Sequence, residues 1–203
     1  MEEEARGRGK INLCAFCREP KPTSAEEDIK RLQKLMEVNN ADAFSHFGGY
    51  YAQGIRGVPQ DFPKANELYL RAAELGCGEA YNNLGYSYDN GEGVEMDKKK
   101  AIHFYELAAM NGSVTARHNL GCWEFRAGNH HRSYKHFLLA AKAGFKLSLD
   151  QVKKGFMHGF VTKDEYANAL RAYQQRHDEM KSDDRHKADL FRNSQGGEVA
   201  WAG

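Results

Sequence analysis

The chain is poor in the residues that staple small secreted domains. It has four cysteines in 203 residues, two close together at Cys14 and Cys17 and two single ones at Cys77 and Cys122. That is too few and too scattered for a disulfide framework. Long apolar runs are missing as well. No stretch reaches the roughly 18 to 20 uncharged apolar residues of a membrane span, and the mean hydropathy is -0.75. The first ten residues, Met1 to Lys10, are charged and glycine-rich, with no apolar stretch behind them. They cannot serve as a secretory signal as they stand, which sets the expectation of a cytoplasmic or nuclear protein with reduced thiols. Excess charge of one sign is also lacking: 29 Lys and Arg face 28 Asp and Glu. No broad field exists to hold a nucleic-acid backbone or an anionic membrane, so neither is expected as a partner.

Self-similarity is what the sequence does have. Phe47-Gly48-Gly49-Tyr50-Tyr51 is echoed by Leu84-Gly85-Tyr86-Ser87-Tyr88 and by Leu120-Gly121-Cys122-Trp123-Glu124, at spacings of 37 and then 36 residues. Downstream of each lies a second block, 65–76, 101–112 and 133–144, with Ala72-Ala73, Ala108-Ala109 and Ala140-Ala141 in register. Apolar or small residues at i, i+4 and i+8, as in Ala80, Leu84 and Tyr88, give a helical period. Between blocks, Gly57-Val58-Pro59-Gln60-Asp61 and Gly93-Val94-Glu95-Met96-Asp97 each end on an acid suited to cap the next helix. The third unit has only Ala127-Gly128-Asn129 there, which predicts a tighter hairpin. A glycine inside a helix costs about 1 kcal/mol relative to alanine. Its recurrence at Gly48, Gly85 and Gly121 predicts close approach of a neighbouring helix, with Tyr69, Tyr105 and Phe137 filling the space beyond.

The pattern LGxxY, GxGVxxD, AxxxYxxAAxxG resembles the Sel1-like repeat, a relative of the tetratricopeptide repeat, over residues 40–156. The resemblance implies an all-α, right-handed α-solenoid of stacked helical hairpins, closed by a long C-terminal capping helix. A fourth first helix is expected around Ser148 to Gly155, and the Thr162 and Glu165 capping-box spacing starts the terminal helix over 162–192. Residues 193–203 are expected to be a disordered tail. At the other end, Ser24 and Glu27 repeat the capping-box spacing and predict a capping helix from Ala25 to about Glu37, within a segment bounded at 24–38. Residues 1–23 remain as a disordered linker. There Cys14-Ala15-Phe16-Cys17-Arg18-Glu19-Pro20 resembles the last ligand pair of a RING-type zinc finger, with alanine where that motif has proline. Structural zinc takes four N or S ligands. No other Cys or His precedes His46, so the pair is an incomplete zinc site, and no cofactor is expected unless further ligands come from elsewhere. A redox dithiol is the other reading of the pair, and Pro20 and Pro22 do not supply its strand-turn-helix setting.

No catalytic constellation is present. The sequence has no Ser-x-x-Lys, Gly-x-Ser-x-Gly, His-Glu-x-x-His or Gly-x-x-x-x-Gly-Lys. His130, His131 and His136 lack metal-ligand spacing, and Asp89 to Gly93 is a repeat turn without a calcium loop's acids. Asn83 and Asn119 share a repeat position and are expected to bond between hairpins. Function is therefore expected on the concave face, lined by the first helices. Opposite the core positions of the second repeat lie Glu79, Asn82, Tyr86 and Asp89; the corresponding residues are Asp42, Ser45 and Gln53 in the first repeat, and Thr115, His118, Cys122 and Arg126 in the third. Their identities vary while core positions repeat, as a groove specialised for one protein or peptide partner would show. The expected function is a non-enzymatic protein-interaction adaptor or scaffold. The alternative is a RING-type ubiquitin ligase or ligase subunit, whose repeats would recruit substrate while a ubiquitin-conjugating enzyme bound the RING part.

Overall fold

The computed structural model describes residues 24–196, with side chains to 182; the Cys14 and Cys17 pair lies outside the described residues. The described residues are helical with connecting turns, and no strand occurs among them. The chain divides into two units, residues 1–77 and 78–203.

In the first unit, α1 (Ala25–Glu37) is followed by the hairpin of α2 (Ala41–Gln53) and α3 (Phe62–Glu74). Ser24 caps α1, its Oγ accepting from the Glu27 N–H at 3.1 Å, and Glu26, Glu27 and Asp28 favour the positive end of the helix dipole. Leu32, with Ile29, Leu35 and Met36, packs α1 onto Ala43, Phe47 and Leu68 of the hairpin. A polar clasp reinforces this contact: the Tyr50 hydroxyl donates to Asp28 at 2.5 Å and Arg56 pairs with the same carboxylate at 3.6 Å. Asn40 and Asp61 cap α2 and α3, each accepting a backbone N–H three residues on, and Pro63 sits in the first turn of α3.

In the second unit, three hairpins follow: α4 (Gly78–Asn90) with α5 (Lys98–Met110), α6 (Val114–Arg126) with α7 (His130–Lys142), and α8 (Lys146–Met157) with α9 (Lys163–Gly196). The reason for the helix glycines is visible in both units. A Cβ added at Gly48 would lie 2.7 Å from a Tyr69 ring carbon, at Gly85 2.7 Å from Tyr105, and at Gly121 2.6 Å from Phe137. Each ring occupies the volume a side chain would need, and burying a ring of this size contributes roughly 1.5–3 kcal/mol. That offsets the helix cost of glycine. The alanine pairs of α5 and α7 are buried behind these contacts.

The turn between α6 and α7 is the short one, residues 127–129, whereas α4 and α5 are joined by 91–97. The helices themselves keep register. Asp97 caps α5 by accepting from the Lys99 and Lys100 N–H groups at 3.0 Å each. Asn129 stands in the equivalent place before α7 but makes no side-chain cap; its amide donates instead to Glu124 at 2.8 Å. The box at the start of α9 is reciprocal, since Thr162 Oγ1 accepts from the Glu165 N–H at 3.2 Å while the Thr162 N–H donates to the Glu165 carboxylate at 2.9 Å. These bonds hold the Glu165 carboxyl below its ordinary pKa. Val161, Ala169, Tyr166 and Tyr173 seat α9 on Phe137, Leu149 and Val152. The helix continues to Gly196, past the expected end at 192, so the expected tail overlaps it over 193–196, and residues 197–203 lie outside the described residues.

Candidate partner-binding surface

The first helices carry the expected surface residues, and the structure sorts them into two groups. One group ties each helix to the next turn of its own unit. Cys77 Sγ lies 3.8 Å from the Asp42 carboxylate, and the Ser113 hydroxyl donates to Glu79 at 2.8 Å. Cys77 and Ser113 both follow the left-handed glycine that ends a second helix (Gly76 and Gly112), so this is one rung made with two donor types. In the third repeat Phe145 holds that position, and the His118 ring packs on it with centroids 5.2 Å apart. His118 also meets the Phe137 ring and places Nδ1 2.8 Å from Ser148 Oγ. Burial pushes its pKa down. Asn119 donates to Asn82 at 3.0 Å, so Asn119 does bond between hairpins, with Asn82 rather than Asn83 as its acceptor. Asp89 accepts from Trp123 Nε1 at 3.2 Å and from Lys98 Nζ at 2.7 Å. Ser45 and Asn82 are only 8% and 7% exposed. Asp42 and Glu79 remain exposed beside these partners, whereas Ser45, Asn82, Asp89 and His118 are buried or half-buried.

The other group is open. Tyr86 is 51% exposed on α4. Gln53 ends α2 and Arg126 ends α6, both exposed, and Thr115 and Cys122 are half-buried on α6. The Cys122 thiol is pushed up by burial, opposed by the nearby Arg126 charge; it lies 3.6 Å from His118 Nε2. A raised thiol beside an imidazole with a lowered pKa is a neutral pair, so this contact does not generate a thiolate nucleophile. Tyr105 is buried on α5, its hydroxyl held protonated by burial, with the Asp89 charge adding to the effect. Helix register also refines the sequence alignment. Counting from the packed glycines, Gln53 and Arg126 match Asn90, while the residues matching Asp89 are Ala52 and Phe125. Phe125, 44% exposed, was not singled out from the sequence. Among the described residues no group of three or more His, Cys, Asp or Glu side chains could hold a metal ion.

The family model of the Sel1 repeat matches residues 48–77, 78–113 and 115–145. Three successive segments of the chain, together just under half of its length, thus match the Sel1 repeat. Each match begins within or next to a first helix and ends just after a second one, so the Sel1 repeat here is one glycine-packed hairpin. A solved Sel1 repeat protein from Oxalobacter formigenes superposes with a TM-score of 0.64 at 26% identity, covering 74% of this chain and 64% of that one. A protective antigen of uropathogenic Escherichia coli displaying an SLR fold gives 0.60 at 32% identity, over 74% of this chain and 33% of that one. Among curated proteins, the ERAD-associated E3 ubiquitin-protein ligase component HRD3B of Arabidopsis thaliana is 33% identical over 97 residues, which is 47% of this chain and 15% of that protein. The chain therefore spans a small part of the length of that relative. No Sel1 match covers the N-terminal segment with Cys14 and Cys17.

Proposed function

We propose that this chain is a non-enzymatic protein-interaction adaptor whose Sel1 repeats seat a polar peptide or partner helix. The observation that carries this reading is the division among first-helix residues in the second unit. The packing positions repeat as Ala80, Leu84, Gly85 and Ala116, Leu120, Gly121, whereas the less buried positions differ between the repeats, Tyr86 matching Cys122 and Asn90 matching Arg126. A tyrosine and an arginine at solvent-open positions are the residue types that anchor protein interfaces. The tied residues hold the backbone beneath them, so little side-chain order is lost when a partner docks. No cofactor enters this function, and its setting is cytoplasmic or nuclear. A Tyr86→Ala, Arg126→Ala variant tests the proposal: helicity and melting should stay unchanged while a partner isolated with the native chain binds at least about tenfold more weakly. Undiminished binding would move the site off this surface.

A second reading has one observation in its favour, the similarity to a protein named as a component of a ubiquitin ligase. Under it the chain is a subunit of such an assembly and Cys14 and Cys17 share a zinc ion with ligands from elsewhere. Zinc bound in proportion to protein, and lost in a Cys14→Ser, Cys17→Ser variant, would favour this reading over the first.

A further inference from the structure

Where the third repeat has lost its long turn, the second unit exposes a cluster of rings. Phe125, at the end of α6, meets the His130 ring with centroids 4.8 Å apart; His130 meets Phe160 at 4.8 Å, and Phe160 stacks on Tyr134 at 5.5 Å. Two of these rings face water, Phe125 and Phe160, and Met157 in the same turn region is 71% exposed. In the second repeat the longer turn runs beside this edge, with Val94, Met96 and Asp97 lining the space next to the half-buried Tyr88. Three large apolar side chains left open at one edge need a partner more than scattered exposed residues do.

The charge around the cluster says what that partner carries. From Arg126 through Lys163, both included, the sequence holds eight lysines and arginines against a single carboxylate, Asp150, although the whole chain is balanced to +1. Asp150 is paired with Lys146, and Glu124, just before the segment, is paired with Arg132 at 3.0 Å. The Glu165 carboxylate beyond it is folded back onto Thr162. Asp164 is the exposed acid that remains beside the cluster. Lys153 and Lys154, about one helical turn before Met157, and Lys163, three residues after Phe160, are exposed.

We propose that this edge of the third repeat is a second docking surface, distinct from the one around Tyr86, which takes an acidic peptide bearing aromatic or large aliphatic anchors. The apolar anchors cover Phe125, Phe160 and Met157, and the peptide's carboxylates answer the basic rim. A nucleic acid fits less well, because Phe160 already has one ring face stacked on Tyr134 and the chain has no continuous basic field to follow a phosphate backbone.

The test uses the full chain and three labelled probes: a short peptide of Asp and Glu with Phe and Leu anchors, the same peptide with Lys for every acid, and a single-stranded oligonucleotide. Fluorescence anisotropy should show the acidic peptide binding at least about tenfold more tightly than the other two, and weakening as salt rises. A Phe125→Ser, Phe160→Ser variant and, separately, a Lys153→Glu, Lys154→Glu variant should each lower that affinity about tenfold or more, with Tyr86→Ala leaving it unchanged. The charge variant leaves the rings in place, so it remains informative if the ring variant folds poorly. Equal binding of the lysine peptide, preference for the oligonucleotide, affinity unaltered in the charge variant, or a concentration-dependent dimer that the charge variant abolishes would each overturn the proposal.

Discussion

The hairpin of α4 and α5 and the hairpin of α6 and α7 share one packing device and differ in almost everything around it. Both press a helix glycine against a ring, Gly85 on Tyr105 and Gly121 on Phe137. One has a seven-residue turn ending on a capping aspartate; the other has three residues and no side-chain cap. Because the helices stay in register despite this, the glycine contact sets the spacing of the helices and the turn is free to change. Variation in the turn then becomes variation in surface: a long turn beside Tyr88 in one repeat, open rings in the other.

The largest test of this comparison is to fill the shared contact. Gly85→Val and Gly121→Val should each destabilise the chain by about 3 kcal/mol, since the added atoms enter space held by a ring. Urea unfolding of both should give similar losses; a loss at Gly85 far larger than at Gly121 would mean that the long turn helps to set the packing. The next effect separates the hairpins. Asp97→Ala removes a working cap and should cost about 1 kcal/mol, whereas Asn129→Ala should cost under about 0.5 kcal/mol, because that side chain caps nothing. Equal costs would erase the distinction. A double-mutant cycle of Glu79→Gln and Ser113→Ala should return a coupling of about 0.5–1 kcal/mol for the rung between them. Additive losses would show that this bond does not tie the hairpins.

Acid gives a smaller test. Burial lowers the pKa of His118, and of His136, so the folded chain resists protonating rings that the unfolded chain protonates below about pH 6.5. The unfolded state then binds more protons, and stability falls as pH drops from about 6.5 toward the lowered folded values. Facing charges temper this at His136, where Glu124 and Glu106 oppose burial and Arg117 and Arg132 add to it. Melting temperature followed from neutral pH to about pH 5.5 should decline, and less steeply in His118→Gln. The same slope in the variant would remove His118 from the account.

Much of the fold was legible because it repeats. The glycines recur at 37 and 36 residues, the rings opposite them and the alanine pairs at 36 and then 32, the shorter interval marking the short third turn, and the Ser24 and Glu27 spacing locates the start of α1. The surface was less legible because helical period says which side a residue lies on, not what reaches it. Glu79, Asn82 and Asp89 lie opposite the core, yet each is engaged by a residue 34 to 37 positions later. One signal was available: Cys77 and Ser113 share a place after the terminal glycine, and the acids Asp42 and Glu79 share a place before them. Phe125 went unnoticed because its exposure follows from the missing turn, a feature of neighbouring residues and not of its own position.

The central claim is that the repeated residues build the scaffold and the open, varied ones meet the partner. It is tested most directly by placing a photo-crosslinking residue at Tyr86 and, separately, at Met110, which is 81% exposed on a second helix. The account predicts a single protein adduct of defined mass from position 86 and none from position 110. Adducts of equal yield from both, or from position 110 alone, would contradict it.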